Sequence, residues 1–123
     1  MRLAVILVGS ALIAGPALGQ DAGRGRLLFE DCRSCHSLDP TEKGLPGPHL
    51  KGLSGRRVGS AAGFDYSPAL TEAGRQGATW DAARLTAFLA DPEAMFPGLW
   101  MSPPGRMSEA DRRALAAFLM RND

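Results

Sequence analysis

The chain has 123 residues, enough for one domain, and carries 14 Lys+Arg against 13 Asp+Glu. Arg2 is the only charged residue of 1–19, so without that stretch the side chains balance at 13 against 13, with no basic excess to hold nucleic acid. No internal repeat, low-complexity tract or inter-domain linker is present, and a domain of about 100 residues has a limited core that often needs a staple.

The chain opens with Met1-Arg2 and runs apolar over 3–14, interrupted only by Gly9 and Ser10. Gly15-Pro16 and then Ala17-Leu18-Gly19-Gln20 follow. A basic start, a short apolar core and small residues before a polar one describe a secretory signal peptide, with cleavage expected after Gly19. The competing reading is a membrane anchor. The run is short for a span of about 20 residues, and Pro16 interrupts it. The expectation is therefore a cleaved leader over 1–19 and one exported domain over 20–123. A first helix is expected over 21–30, with Leu27, Leu28 and Phe29 on its apolar face. Gly25 lies one turn before Phe29, where a missing side chain lets another helix approach.

Both cysteines of the chain fall in Cys32-Arg33-Ser34-Cys35-His36. C-x-x-C-H is the attachment signature of a c-type haem. Two thiols add to the two vinyl groups on one edge of the porphyrin, so they must sit about one helical turn apart. The next side chain can then place an imidazole nitrogen on the iron. Two other readings compete. A thioredoxin-like dithiol belongs beside a βαβ pattern, which the sequence lacks. A structural zinc site needs a second pair of ligands, and His49 is the only other histidine. Covalent haem attachment agrees with export, because haem must meet the unfolded chain outside the inner membrane. A haem disc would also serve as the staple of a small core.

Residues 37–63 hold Pro40, Pro46, Pro48 and many glycines without a sustained period, which reads as a long loop around something functional. Leu50 and Leu53 are its apolar points, and His49 reads as a solvated loop histidine. A short helix starts near Ser67-Pro68 and ends at 74–77. Trp80 precedes Asp81, an N-cap for a helix over 82–90 whose Leu85, Phe88 and Leu89 share one face. Asp91-Pro92 stops it. Pro97-Gly98-Leu99-Trp100-Met101 begins a shaped loop, and a thioether suits haem iron, although most methionines are core or surface residues. Ser108-Glu109-Ala110-Asp111 reads as a cap for a last helix to about 120, with Leu115, Phe118 and Leu119 on its inner face.

With these blocks in view, the chain resembles class I c-type cytochromes, close to the mitochondrial and purple-bacterial soluble type. The resemblance covers nearly all of 20–123. It rests on Cys32, Cys35 and His36, Gly47-Pro48 with Leu50, Gly55-Arg56, Gly63-Phe64-Asp65-Tyr66-Ser67, Trp80, Leu89-Ala90-Asp91-Pro92 and Pro97-Gly98-x-x-Met101. It implies a small single-domain all-α fold around one haem c attached through Cys32 and Cys35. Gly25 and Phe29 of the first helix should cross Leu115 and Phe118 of the last. His36 and Met101 should be the axial ligands of the iron, with the Pro48 carbonyl accepting the second imidazole N–H. Arg56, Tyr66 and Trp80 match residues that hold the haem propionates.

The departures also carry meaning. Phe88, Leu70 and Leu99 stand where the mitochondrial proteins carry Tyr, Asn and Thr, which implies a more apolar side around the methionine. Asp31, Glu93 and Trp100 stand where those proteins place lysines, and Lys43 and Lys51 are the only lysines of the chain. The resemblance implies a monomeric periplasmic one-electron carrier, not an enzyme. Its partners would be membrane or periplasmic oxidoreductases. Two alternatives stay open: a dedicated haem subunit of an oxidoreductase complex, and a haem enzyme or gas sensor with an open iron.

Overall fold

The computed structural model describes residues 9–10, 17–102 and 104–122. The expected leader over 1–19 lies mostly outside the described residues. The element order is α1 (Ala17–Phe29), a 3-10 turn (Glu30–Cys32), α2 (Pro68–Arg75), α3 (Ala82–Ala90), α4 (Pro92–Met95) and α5 (Glu109–Met120). Among the described residues no strand forms; the one β-like feature is an isolated antiparallel bridge between Arg57 and Thr79. No described helix is long and apolar enough to cross a membrane.

The molecule is built on the crossing of α1 and α5. A Cβ added to Gly25 would fall on the Ala114 carbonyl and within 2.6 Å of Phe118 Cβ, so only glycine permits this approach. Phe29 is fully buried one turn later, its ring 5.7 Å from that of Phe118. Burying such a ring stabilises by about 2–3 kcal/mol, and truncating it costs about 3–5 kcal/mol once the cavity is included. Arg24 Nε and Nη2 donate to the two Asp111 carboxylate oxygens at 2.9 and 2.8 Å, which fixes the same crossing from outside. Leu27 departs from its expected place on the buried face. It is 64 % exposed, because the turn that buries Gly25 and Phe29 points the residue between them to solvent.

Local caps place the later helices. Asp81 accepts the Arg84 N–H at 2.7 Å and starts α3. Ser108 accepts the Asp111 N–H at 3.1 Å and starts α5. Asp91-Pro92 ends α3 as expected but also opens α4, a short helix not anticipated from the sequence. There Asp91 accepts from Ala94 at 3.0 Å, and proline fills the first helical position, where no N–H is needed. Residues 37–63 form no helix. Their turns are tied to the body through Gly52 N–H to Asn122 O at 2.7 Å and Val58 N–H to Ala78 O at 2.9 Å.

Candidate haem site

The 3-10 turn at the end of α1 winds the cysteine motif. Cys35 N–H and His36 N–H both donate to Cys32 O, at 3.1 and 2.9 Å, so the two thiols stand one turn apart. Both are free and half-buried. Burial pushes the Cys32 thiol up, with Asp31 and Cys35 adding to it, so it rests as a thiol rather than a reactive thiolate. Neither competing reading of the motif finds its structural context. No βαβ unit lies beside it, and among the described residues no group of three His, Cys, Asp and Glu side chains is placed to hold a metal ion.

His36 is oriented by the following loop. Gly47 N–H donates to Cys35 O and Leu50 N–H to Ser37 O, each at 2.8 Å, which lays 47–50 along the motif. His36 Nδ1 then lies 2.8 Å from Pro48 O. A carbonyl can only accept, so Nδ1 carries the proton and Nε2 keeps its lone pair. Burial pulls the His36 pKa down; the Pro48 carbonyl opposes this and Arg56 adds to it. The neutral ring is thus favoured, and its Nε2 is left without the proton.

Met101 is half-buried and packs on the core that contains Trp80, Phe88 and Phe96. These three rings form a triangle, with centroids 5.3 Å apart for Trp80–Phe88, 6.2 Å for Trp80–Phe96 and 6.0 Å for Phe88–Phe96. Phe96 was not singled out in the sequence, because it lies outside any helical period. Leu70 and Leu99 are half-buried and pack against the hydrophobic core.

Arg56, Tyr66 and Trp80 are brought together although 24 residues separate the first from the last. Trp80 N–H donates to Arg56 O and Gly55 N–H to Trp80 O, each at 2.9 Å. Arg56 Nη2 donates to His49 O at 2.9 Å and Nη1 to Lys51 O at 3.1 Å, while its Nε is buried without a partner. Tyr66 Oη accepts the Ala61 N–H at 3.0 Å, which leaves its own O–H free to donate. His49 is half-buried in its loop, and its backbone carbonyl supports Arg56. Ser67 was read only as a helix start. Its hydroxyl makes no cap bond; it is turned inward, 1 % exposed and unpartnered. A buried hydroxyl and guanidinium N–H left without acceptors cost free energy. They are the polar atoms that a pair of carboxylates on the ring edge would satisfy.

The donor set therefore fits a haem. Two thiols one turn apart, an imidazole with a free Nε2, a half-buried thioether and orphaned donors each match one part of it. A cleft of about 510 Å³ opens between the loops at 37–49 and 61–64, reaching Pro48 and His49 but neither cysteine nor Met101, so it is a neighbour of the site.

Fold and site together define a c-type cytochrome. Residues 22–123 match the family model for cytochrome c. Cytochrome c-554 of Methylosinus trichosporium is 36 % identical over 113 residues, covering 91 % of this chain and 83 % of the relative. Cytochrome c2 of Rhodomicrobium vannielii is 36 % identical over 117 residues, covering 94 % and 91 %. The solved structure of ferricytochrome c2 from Rhodopseudomonas palustris superposes with a TM-score of 0.75 at 32 % identity, covering 84 % of this chain and 99 % of that one. Cytochrome c2 from Rhodospirillum centenum does so with a TM-score of 0.75 at 30 % identity, covering 83 % and 98 %. The chain belongs to the cytochrome c family, an electron-transfer family, and binds haem c covalently through Cys32 and Cys35.

Proposed function

We propose that this chain is a periplasmic one-electron carrier in which His36 and Met101 are the axial ligands of the haem iron. The observation that carries the reading is the 2.8 Å contact of His36 Nδ1 with Pro48 O, which reserves Nε2 for the metal. The haem supplies an Fe(III)/Fe(II) couple. The protein's part is to hold, orient and exclude water. Cys32 and Cys35 anchor the group, Pro48 and Gly47 set the imidazole plane, and the Trp80–Phe88–Phe96 triangle keeps the methionine side dry. Arg56, Tyr66, Trp80 and Ser67 supply the donors for the propionates. With both axial positions filled, no open site remains for a substrate, so the role is a carrier's and not an enzyme's. The leader-like pattern of 1–19 supports the periplasm as its compartment.

The methionine assignment is tested by substitution. Met95, Met107 and Met120 are half-buried against the same core, so burial alone does not distinguish them. Met101→Ala should abolish the near-infrared thioether–iron band of the ferric protein, and the same change at the other three should leave it. Loss of the band in Met107→Ala would refute the assignment. One observation favours a second reading. Trp100, next to the ligand, is 68 % exposed, and an exposed indole suits a lasting interface in an oxidoreductase complex. Gel filtration of native extract separates the two: a free carrier elutes as a monomer.

A further inference from the structure

Met101 sits at the end of a chain reversal. Pro97 has no N–H, and Gly98 takes φ +80, where the chain turns back on itself. The N–H groups that follow, those of Gly98 and Leu99, project to the same side. Both are met by one carboxylate: Gly98 N–H donates to Glu93 Oε1 at 2.7 Å and Leu99 N–H to Glu93 Oε2 at 3.2 Å.

We propose that Glu93 is a positioning residue for Met101, a two-point carboxylate clamp that holds the ligand loop closed. The inference rests on the reading of Met101 as the axial ligand. Glu93 lies at the second position of α4, and Asp91 fixes that helix by capping it. Asp91 thus anchors the helix and Glu93 the loop. Hydrogen bonds from backbone N–H to a charged acceptor are stronger than those between neutral groups. Two on adjacent residues also fix the plane of the peptide between them, which sets the direction in which Leu99, Trp100 and Met101 leave the turn. Each of the two Glu93 carboxylate oxygens is thus engaged by one amide of the loop. An outward opening of 98–101 must break both bonds before the thioether can leave the iron.

The test is capture of the ferric iron by added imidazole, which requires the methionine to step aside. Imidazole titrations of the ferric holoprotein are compared for wild type, Glu93→Gln, Glu93→Ala, Met101→Ala and Glu72→Ala. Glu72 is an exposed glutamate that pairs only within α2, with Arg75 and Gln76. Glu93→Ala should bind imidazole roughly tenfold more tightly than wild type, the weight of about one net bond to a charged acceptor. Glu93→Gln keeps one carbonyl acceptor and should fall between, and Glu72→Ala should match wild type. Both Glu93 variants lose the charge, so equal effects in the two would show a charge effect and overturn the clamp. Equal binding by Glu93→Ala and wild type would overturn it as well, provided that wild type still binds far more weakly than Met101→Ala. If wild type binds as tightly as Met101→Ala, Met101 is not on the iron and both readings fall.

Discussion

Gly47→Ala should be among the most damaging single-methyl additions in this protein. An ideal Cβ at Gly47 would stand 2.6 Å from His36 Cε1, 2.8 Å from Nδ1 and 2.8 Å from Cys35 O. Non-bonded carbons prefer about 3.5–4.0 Å, so the imidazole must withdraw by roughly 1 Å. Its Nδ1–H bond to Pro48 O is 2.8 Å long, and that withdrawal carries it past the usual limit of about 3.2 Å. Overpacking of this kind costs about 1–3 kcal/mol, and the lost bond about 1 kcal/mol, together about 2–4 kcal/mol. Gly23→Ala is the control, because an added methyl there meets nothing within 4 Å. It should be neutral or stabilising by up to ~1 kcal/mol, since alanine is the better helix former. Guanidinium unfolding of the two holoproteins, followed by circular dichroism, measures the difference. The carbonyl bond also raises the basicity of the imidazole, which favours ferric iron, so its loss should raise the reduction potential. Gly47→Ala with wild-type unfolding and an unchanged potential would refute the claim that this close approach orients the ligand.

Three further outcomes are expected. Arg24 holds the Asp111 carboxyl below its usual range, chiefly by hydrogen bonding, so the pair stabilises above that range and the effect is lost as pH falls through the lowered value; the stability gap between wild type and Asp111→Asn should close on acidification, and a gap that persists in acid would contradict it. No residue of 91–105 is a lysine, so the ferric thioether band should persist into alkaline pH until hydroxide or wider unfolding removes it; a lysine amine on the iron of the folded protein, seen by magnetic resonance, would refute this. Electron transfer to the partner should depend weakly on ionic strength and slow in Trp100→Lys, because the 68 % exposed indole beside Met101 favours apolar docking; a steep salt dependence in stopped-flow rates would point to a charged patch instead.

The parts that were legible in the sequence are those with local causes. Cys32, Cys35 and His36 declare the haem because thiol spacing is set by one turn of backbone. The bounds of α3 and α5 follow from Asp81 and Ser108, each of which caps an N–H three residues away. Gly25 could be placed at a helix crossing because small residues on a buried face have few other uses. The absence of lysine from 91–105 is likewise a property of the string alone.

What only the tertiary structure decided are contacts whose partners are distant or whose direction depends on packing. Arg24 meets Asp111 across 87 residues, and no periodicity marks that pair. Leu27 and Phe29 are both apolar, and the crossing with α5 decides that one is exposed and the other buried. Ser67 has the residue type of a cap, yet the chain turns its hydroxyl inward, where it waits for an acceptor that the protein does not supply. In the sequence Glu93 is only an acid where the mitochondrial proteins place a lysine. Only the reversal at Pro97-Gly98 brings two amides round to its carboxylate, because a backbone turn, not the residue's own type, determines what a flexible side chain can reach.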